Sequence, residues 1–282
     1  MEAKGLNVDD WEKTTRANMP IKQWLQEYEC SFLGTGDTYI DGEILKDVSQ
    51  NVSEEFYSKY NNRMRVWQDP KPYYTYVLAC DVALGRDRDY SAFQVINTYN
   101  GQQVAEFYSN KTPINTFAEI IAQEGMLYNI AHVICERNTI GNNLIDCLYT
   151  NLEYENLWAD DKGLFGFQVT ANNREQLLAN LEEAIRTNSV KINSKRTSDE
   201  LLTFIITEGG RPAAERGKND DLVMSLALGI YLYNNLLETA PIEHISKIPH
   251  KESLPMPSKQ TQHAFRGPGG QIEIEDLRWL MK

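Results

Sequence analysis

Two hydrophobic periods alternate along the chain. Residues 73–79, 92–99 and 103–108 are runs rich in aromatic and β-branched side chains, separated by Gly85-Arg86-Asp87 and Asn100-Gly101. Such runs between turn residues predict an antiparallel three-stranded meander. The period then lengthens. Residues 113–128 repeat at helical spacing with Pro113 near the first turn, 131–135 form a short apolar run of buried-strand type, and 141–152 return to helix. Beyond these, the pattern predicts a short strand near 164–169, a helix over 174–186, an apolar edge at 190–192, a helix from about Thr197, and an apolar helix over 222–237 introduced by two aspartates. The order is that of an α/β domain.

The flanks read differently. Residues 1–70 carry mixed signals: a helix around 21–28, a Gly-rich turn at 34–37, and a polar stretch ending in Asp69-Pro70-Lys71-Pro72, whose prolines disfavour helix and mark a boundary. From about Ala240 the chain is rich in Pro, Gly, Lys and His without periodicity, which predicts a flexible tail, with 272–281 as a short docking helix. Three segments are therefore expected: an N-terminal arm over 1–70, the α/β domain over 71–239, and the tail over 240–282. No internal repeat is evident.

Composition fits this picture. With 282 residues, 41% of them hydrophobic, the chain can bury a core. No apolar run is long enough to span a bilayer, and the polar, acidic start lacks the basic-then-apolar pattern of a signal peptide, so no membrane partner is expected. Cys30, Cys80, Cys135 and Cys147 lack metal-ligand spacing and read as reduced core residues. A net charge of −12 argues at first against a nucleic-acid partner. Its distribution qualifies that: between Arg186 and Lys218 there are seven basic residues (Arg186, Lys191, Lys195, Arg196, Arg211, Arg216, Lys218) against four acidic ones. Such a stretch is either a solvated face or a phosphate-binding one.

The candidate chemistry is a set of carboxylates. Asp81 ends the first strand of the meander after Tyr76-Val77-Leu78-Ala79-Cys80, and Glu136 ends the later strand after Val133-Ile134-Cys135. Strand ends are where function collects, and an acid directly after a buried run is costly unless paired or metal-bound. Asp89 opens the paired strand across the turn at 83–88, so a hairpin brings it towards Asp81. Asp220 and Asp221 precede the last helix, where aspartate is also a common N-cap. If the first strand lies beside the fourth, Asp81 and Glu136 become neighbours and the last helix closes the third side. Three or four carboxylates without His or Cys suit Mg²⁺ or Mn²⁺. Two such ions about 4 Å apart clamp the attacking water and the leaving oxygen of a phosphodiester, with Asp81 as the bridging ligand. Arg86 and Arg88, in the turn beside Asp81, are candidates for phosphate contact, as are Lys191, Lys195, Arg196, Arg216 and Lys218. Arg137 equally suits neutralising a neighbouring acid. Tyr73, Tyr74 and Tyr76 read as core or cross-strand aromatics and receive no role.

At these residues the chain resembles the nuclease domain of the large terminase subunit of tailed bacteriophages, closest to the large myovirus type. The likeness runs through QEYECSFLGTGDTYI (26–40), ACDVALGRDRDYSAFQVIN (79–97), ICERNTIGNNLID (134–146), NLEYENL (151–157) and ERGKNDDLVMSLALG (215–229). It implies an RNase H-like fold related to RuvC resolvase: a mixed sheet with flanking helices. It also implies an acidic triad that uses Mg²⁺ to cut concatemeric viral DNA during packaging. Carried over, the acids fall on Asp81, Glu136 and either Asp220 or Asp221. Asp221 is favoured for metal with Asp220 capping the helix, and the auxiliary acid of the hairpin falls on Asp89. Double-stranded DNA, the portal or prohead and the small terminase subunit are the partners implied, and the cytoplasm of an infected bacterial host the location.

Two departures are informative. The family's packaging ATPase carries a phosphate-binding loop, and no GxxxxGK[ST] occurs in this chain, so ATP hydrolysis is not expected of it. The opening residues then read as the trailing edge of a preceding motor domain. The family's usual histidine before the aspartate pair is Asn219 here. Two other readings compete: a DNA-gripping and docking module working through 186–218 and the tail, and a junction-resolving nuclease on the same fold.

Overall fold

In a computed structural model, the structure describes residues 38–82 and 90–239. The helix expected at 21–28, the turn at 34–37, the hairpin residues Arg86, Arg88 and Asp89, Cys30, and the tail from Ala240 lie outside the described residues.

A six-stranded sheet organises the rest. Its strands are β1 (Tyr57–Lys59), β2 (Met64–Val66), β3 (Tyr76–Asp81), β4 (Ser91–Asn97), β5 (Gln102–Ser109) and β6 (His132–Cys135), in spatial order β1-β2-β5-β4-β3-β6. The predicted meander is β3-β4-β5. Helix α2 (Ile114–Leu127) then returns the chain to lay β6 parallel to β3, so the sheet is mixed. Strand β3 is apolar throughout because both its faces are covered. Tyr76, Leu78 and Cys80 enter a core with α2, while Val77 and Ala79 enter a second core on the other face. That second core is closed by α1 (Gly42–Gln50), α4 (Ala171–Arg186), α5 (Lys195–Leu202) and α6 (Asp221–Thr239). Helix α3 (Thr139–Asp146) follows β6 and runs into a π-helical turn over Cys147–Asn151. No helix among the described residues is long and apolar enough to cross a membrane.

Three expectations are corrected. The domain does not begin at 71: α1 buries Leu45, and β2 pairs with β5, so residues 38–70 belong to the sheet and its second core. Pro70 and Pro72 sit in a loop joining two strands of one sheet, held by Lys71 N donating to the Tyr76 hydroxyl (2.8 Å). Proline marked a turn there, which by sequence alone looks like a boundary. The strand expected near 164–169 is reduced to single bridges, Glu136 with Phe167 and Ala159 with Phe165, because Gly166 at φ +78° interrupts the ladder. A short hairpin, β7 (Phe204–Ile206) with β8 (Pro212–Ala214), stands where none was expected.

Candidate active site

The parallel register of β3 and β6 pairs Cys80 with Cys135, so the next residues, Asp81 and Glu136, stand side by side at the C-terminal ends of the two strands. The backbone holds them there: Glu136 N donates to Cys80 O (3.1 Å), while Phe167 N donates to Cys135 O (2.8 Å) and Arg137 N to Phe167 O (2.7 Å). Ends of parallel strands are the usual binding edge of α/β sheets. Directly after Glu136, Asn138 caps α3, its Oδ1 accepting from Ile140 N (3.0 Å) and Gly141 N (2.7 Å). The first turn of α3 lies so close that a Cβ on Gly141 would sit 1.8 Å from Glu136 O.

The third side is supplied by α6. This helix crosses β3 and β4 with Gly229 over Ala79 and Ile96; a Cβ there would lie 3.2 Å from Ala79 Cβ and 2.8 Å from Ile96 Cδ1. That close crossing brings Asp220 and Asp221 within electrostatic range of Asp81. Burial pushes the Asp81 carboxyl well above the usual carboxylate range, and the negative charges of Glu136, Asp221 and Asp220, in that order, push it further. The side chain of Glu136 beside it pushes Asp81 in the same direction. Burial raises Glu136 too, against the opposing pull of the Asp81 hydrogen bond, the Arg174 charge and Asn138.

Two residues that sequence reasoning missed complete the site. Arg174, in the first turn of α4, places Nη2 3.0 Å from Asp220 Oδ2 and Nη1 2.8 Å from Met224 Sδ. A cation at a helix N-terminus opposes the helix dipole, and that is the one sequence signal that could have singled it out. Glu200, buried on α5, caps α6: its Oε2 accepts from Leu222 N (2.8 Å) and Val223 N (3.4 Å). Burial pushes its carboxyl from 4.5 to about 8, opposed by the Tyr108 hydroxyl and Leu222 N–H and reinforced by Asp221 and Glu106. Nothing in the sequence distinguished it from any glutamate of an amphipathic helix. It also corrects the expectation that the Asp220 side chain caps α6: Asp220 occupies the cap position by its carbonyl, which accepts from Met224 N (2.8 Å), but its carboxylate turns to Arg174.

The expected acids are thus gathered at one end of the sheet, though not as a closed cage: among the described residues no three of His, Cys, Asp or Glu surround a common point. The set is all oxygen and strongly anionic, which fits a hard divalent cation in chemistry. Asp89, expected to join it, lies outside the described residues.

The basic candidates separate. Arg216 and Lys218 are exposed in the segment that leads into Asp220. Lys191 bridges Gln102, and Gln102 pairs with Asn97 and through it with Tyr76, the start of β3. It therefore sits at the far end of the strands, displaced from Asp81 by about 16 Å along the strand direction at roughly 3.3 Å per residue. Lys195 pairs with Asp199 (2.8 Å) on its own helix. Arg196 is spent on the interior: its Nε lies 2.6 Å from Oε1 of fully buried Glu106, and its guanidinium stacks over Tyr108. Arg137 pairs with Asp160 at 3.1 Å, as its neutralising reading anticipated. Tyr76 is core and Tyr74 stacks on Tyr99, while Tyr73 is exposed.

No family model matches the chain. Among solved structures it is similar to the large terminase nuclease from thermophilic phage G20c, at 22% identity and TM-score 0.54, over 67% of this chain and 98% of that one. It is similar to the same nuclease with bound magnesium, at 21% identity and TM-score 0.55, over 67% of this chain and 96% of that one. The Thermus phage P74-26 large terminase nuclease domain also resembles it, at 22% identity and TM-score 0.51, over 66% of this chain and 93% of that one. The fold is that of the large terminase nuclease domains, the RNase H-like mixed sheet with flanking helices that the resemblance implied.

Proposed function

We propose that this chain is a divalent-metal-dependent DNA endonuclease of the terminase kind, cutting concatemeric viral DNA during packaging in an infected bacterial cell. One observation carries the reading: Asp81 and Glu136 at adjacent strand ends, with the start of α6 bringing Asp221 and Asp220 against them, on a fold shared with a nuclease that binds magnesium.

Asp81, Glu136 and Asp221 would hold the metal. Asp221 is preferred to Asp220 because it weighs more heavily on the Asp81 carboxyl and because Asp220 is engaged by Arg174. One or two Mg²⁺ or Mn²⁺ ions supply water activation and leaving-oxygen stabilisation when bound. The protein's own contribution is positional. Strand pairing fixes Asp81 against Glu136, the Asn138 cap and the Gly141 contact hold Glu136 against α3, and Glu200 fixes the first turn of α6 and so the direction of Asp221. Arg216 and Lys218, exposed just ahead of the aspartates, give the duplex phosphates a cationic approach despite the acidic net charge. The portal and the small terminase subunit belong to the same proposal as partners.

The test is Asp81→Asn. Linearisation of supercoiled plasmid in Mg²⁺ should be abolished while the circular dichroism spectrum and thermal midpoint are retained. Undiminished cleavage by a folded Asp81→Asn protein would remove the carboxylate site from the reaction.

A further inference from the structure

We infer that Arg174 is an internal counter-cation of the acid cluster, held on Asp220 beside the metal ligands, so that its charge opposes loading of the divalent ion. The inference rests on the metal-site reading above.

Four observations lead to it. The guanidinium is within direct contact of Asp220 Oδ2 at 3.0 Å, and its charge also acts on Glu136, so one cation serves a proposed ligand acid and the aspartate next to another. Its second nitrogen lies against Met224 Sδ at 2.8 Å, one turn into α6, so the group lies along the opening turn of that helix. The position itself argues for a role outside α4. Thr170 and Asn173 cap that helix reciprocally, and a positive charge in its first turn works against the helix dipole. Finally, the pair is accessible: the Arg174 and Asp220 side chains are 29% and 33% exposed, so water and an ion reach it.

Physical consequences follow. Four carboxylates stand at this end of the sheet, and the repulsion among like charges is relieved in part by whatever cation stands beside them. A divalent ion held by Asp81, Glu136 and Asp221 and a guanidinium on the adjoining Asp220 repel each other. Arg174 therefore weakens metal binding while steadying the acid cluster itself.

The experiment is a calorimetric titration of the full chain with MnCl₂, without DNA, for the parent, Arg174→Gln, Arg174→Lys and Asp81→Asn. Arg174→Gln should bind Mn²⁺ about fivefold tighter, the scale of a partly exposed ion pair. Its thermal midpoint should fall in chelator and rise more than the parent's on adding Mn²⁺. Arg174→Lys keeps the charge and should stay within about twofold of the parent Kd. Unchanged or weaker Mn²⁺ binding by Arg174→Gln overturns the inference, and so does Arg174→Lys binding as tightly as Arg174→Gln. Asp81→Asn separates the two levels. Its loss of Mn²⁺ binding alongside an unaltered Arg174→Gln overturns the arginine's role alone, whereas full Mn²⁺ binding by Asp81→Asn overturns the metal site on which it rests.

Discussion

Replacing Gly141 by alanine sets two opposing effects against each other, and the geometry decides between them. Gly141 sits in the first turn of α3, where alanine would improve intrinsic helix stability by up to about 1 kcal/mol. The added Cβ, however, would fall 1.8 Å from Glu136 O and 2.9 Å from Glu136 C, both backbone atoms that cannot rotate away. A tolerable carbon–oxygen contact is about 3.3 Å, so the two backbones must part by roughly 1.5 Å. Overpacking of this kind typically costs about 1–3 kcal/mol, which exceeds the propensity gain. The displacement also falls on Glu136 itself, and misplacing a reacting group by ~1 Å commonly costs on the order of 100-fold in rate. Gly141→Ala is therefore expected to lower the urea midpoint and to lose cleavage under conditions where the protein remains fully folded. Equilibrium urea unfolding and plasmid-cleavage rates on the folded variant measure the two effects separately. An unchanged midpoint together with an unchanged rate would refute the close approach of α3 to Glu136 and the rigidity argument built on it.

Other expectations follow from the same contacts. Glu200 has a folded-state pKa raised from 4.5 to about 8, so its stabilising share is fully present below about 4.5 and is lost as the pH rises through about 8. Glu200→Gln, which keeps an oxygen for Leu222 N–H, should flatten that decline, on the order of a few kcal/mol, in urea melts between pH 5 and 9; an undiminished decline counts against Glu200 as its source. Arg196→Gln should cost about 3–5 kcal/mol in the same assay, because Glu106 is fully buried and would lose its counter-charge. A loss below about 1 kcal/mol would mean that the pair behaves like a surface one. In fluorescence anisotropy with duplex DNA in EDTA, Arg216→Ala with Lys218→Ala should reduce the salt slope by about 2, whereas Lys191→Ala should leave cleavage unchanged. Impaired cleavage by Lys191→Ala would place the duplex along a different face of the sheet from the one proposed.

Much of the architecture was legible because it follows from local pattern. Strands β3 and β6 declare themselves by apolar runs, a consequence of helices covering both faces of the sheet, and β4 and β5 by aromatic and β-branched runs interrupted at Gln94 and Glu106. Acids that terminate such runs are conspicuous because a charge ends what burial requires, so Asp81 and Glu136 stood out without any knowledge of pairing. What failed did so where one local signal has two meanings. Pro70 and Pro72 break a helix equally at a domain boundary or in a loop between two strands of one sheet. Phe165 and Phe167 look like a strand whether or not a ladder forms, and Gly166 with its positive φ decides that it does not.

The charged residues mark the division most clearly. Sequence by itself determined that this chain carries an α/β core, two acids at strand ends and an aspartate pair at a helix start. Tertiary structure alone decided what each charge does. Lys191 and Arg216 belong to the same basic stretch, yet the register of β4 and β5 sends the first to the far end of the sheet. Arg196 is equally cationic, yet it faces buried Glu106. Arg174 and Glu200 gain their roles only because α4 and α5 pack beside the start of α6. The reason is physical: hydrophobic periodicity is a property of neighbours in sequence, whereas the energy of a charge depends on its distance to other charges and on the water removed from it, and both are set only when distant segments pack.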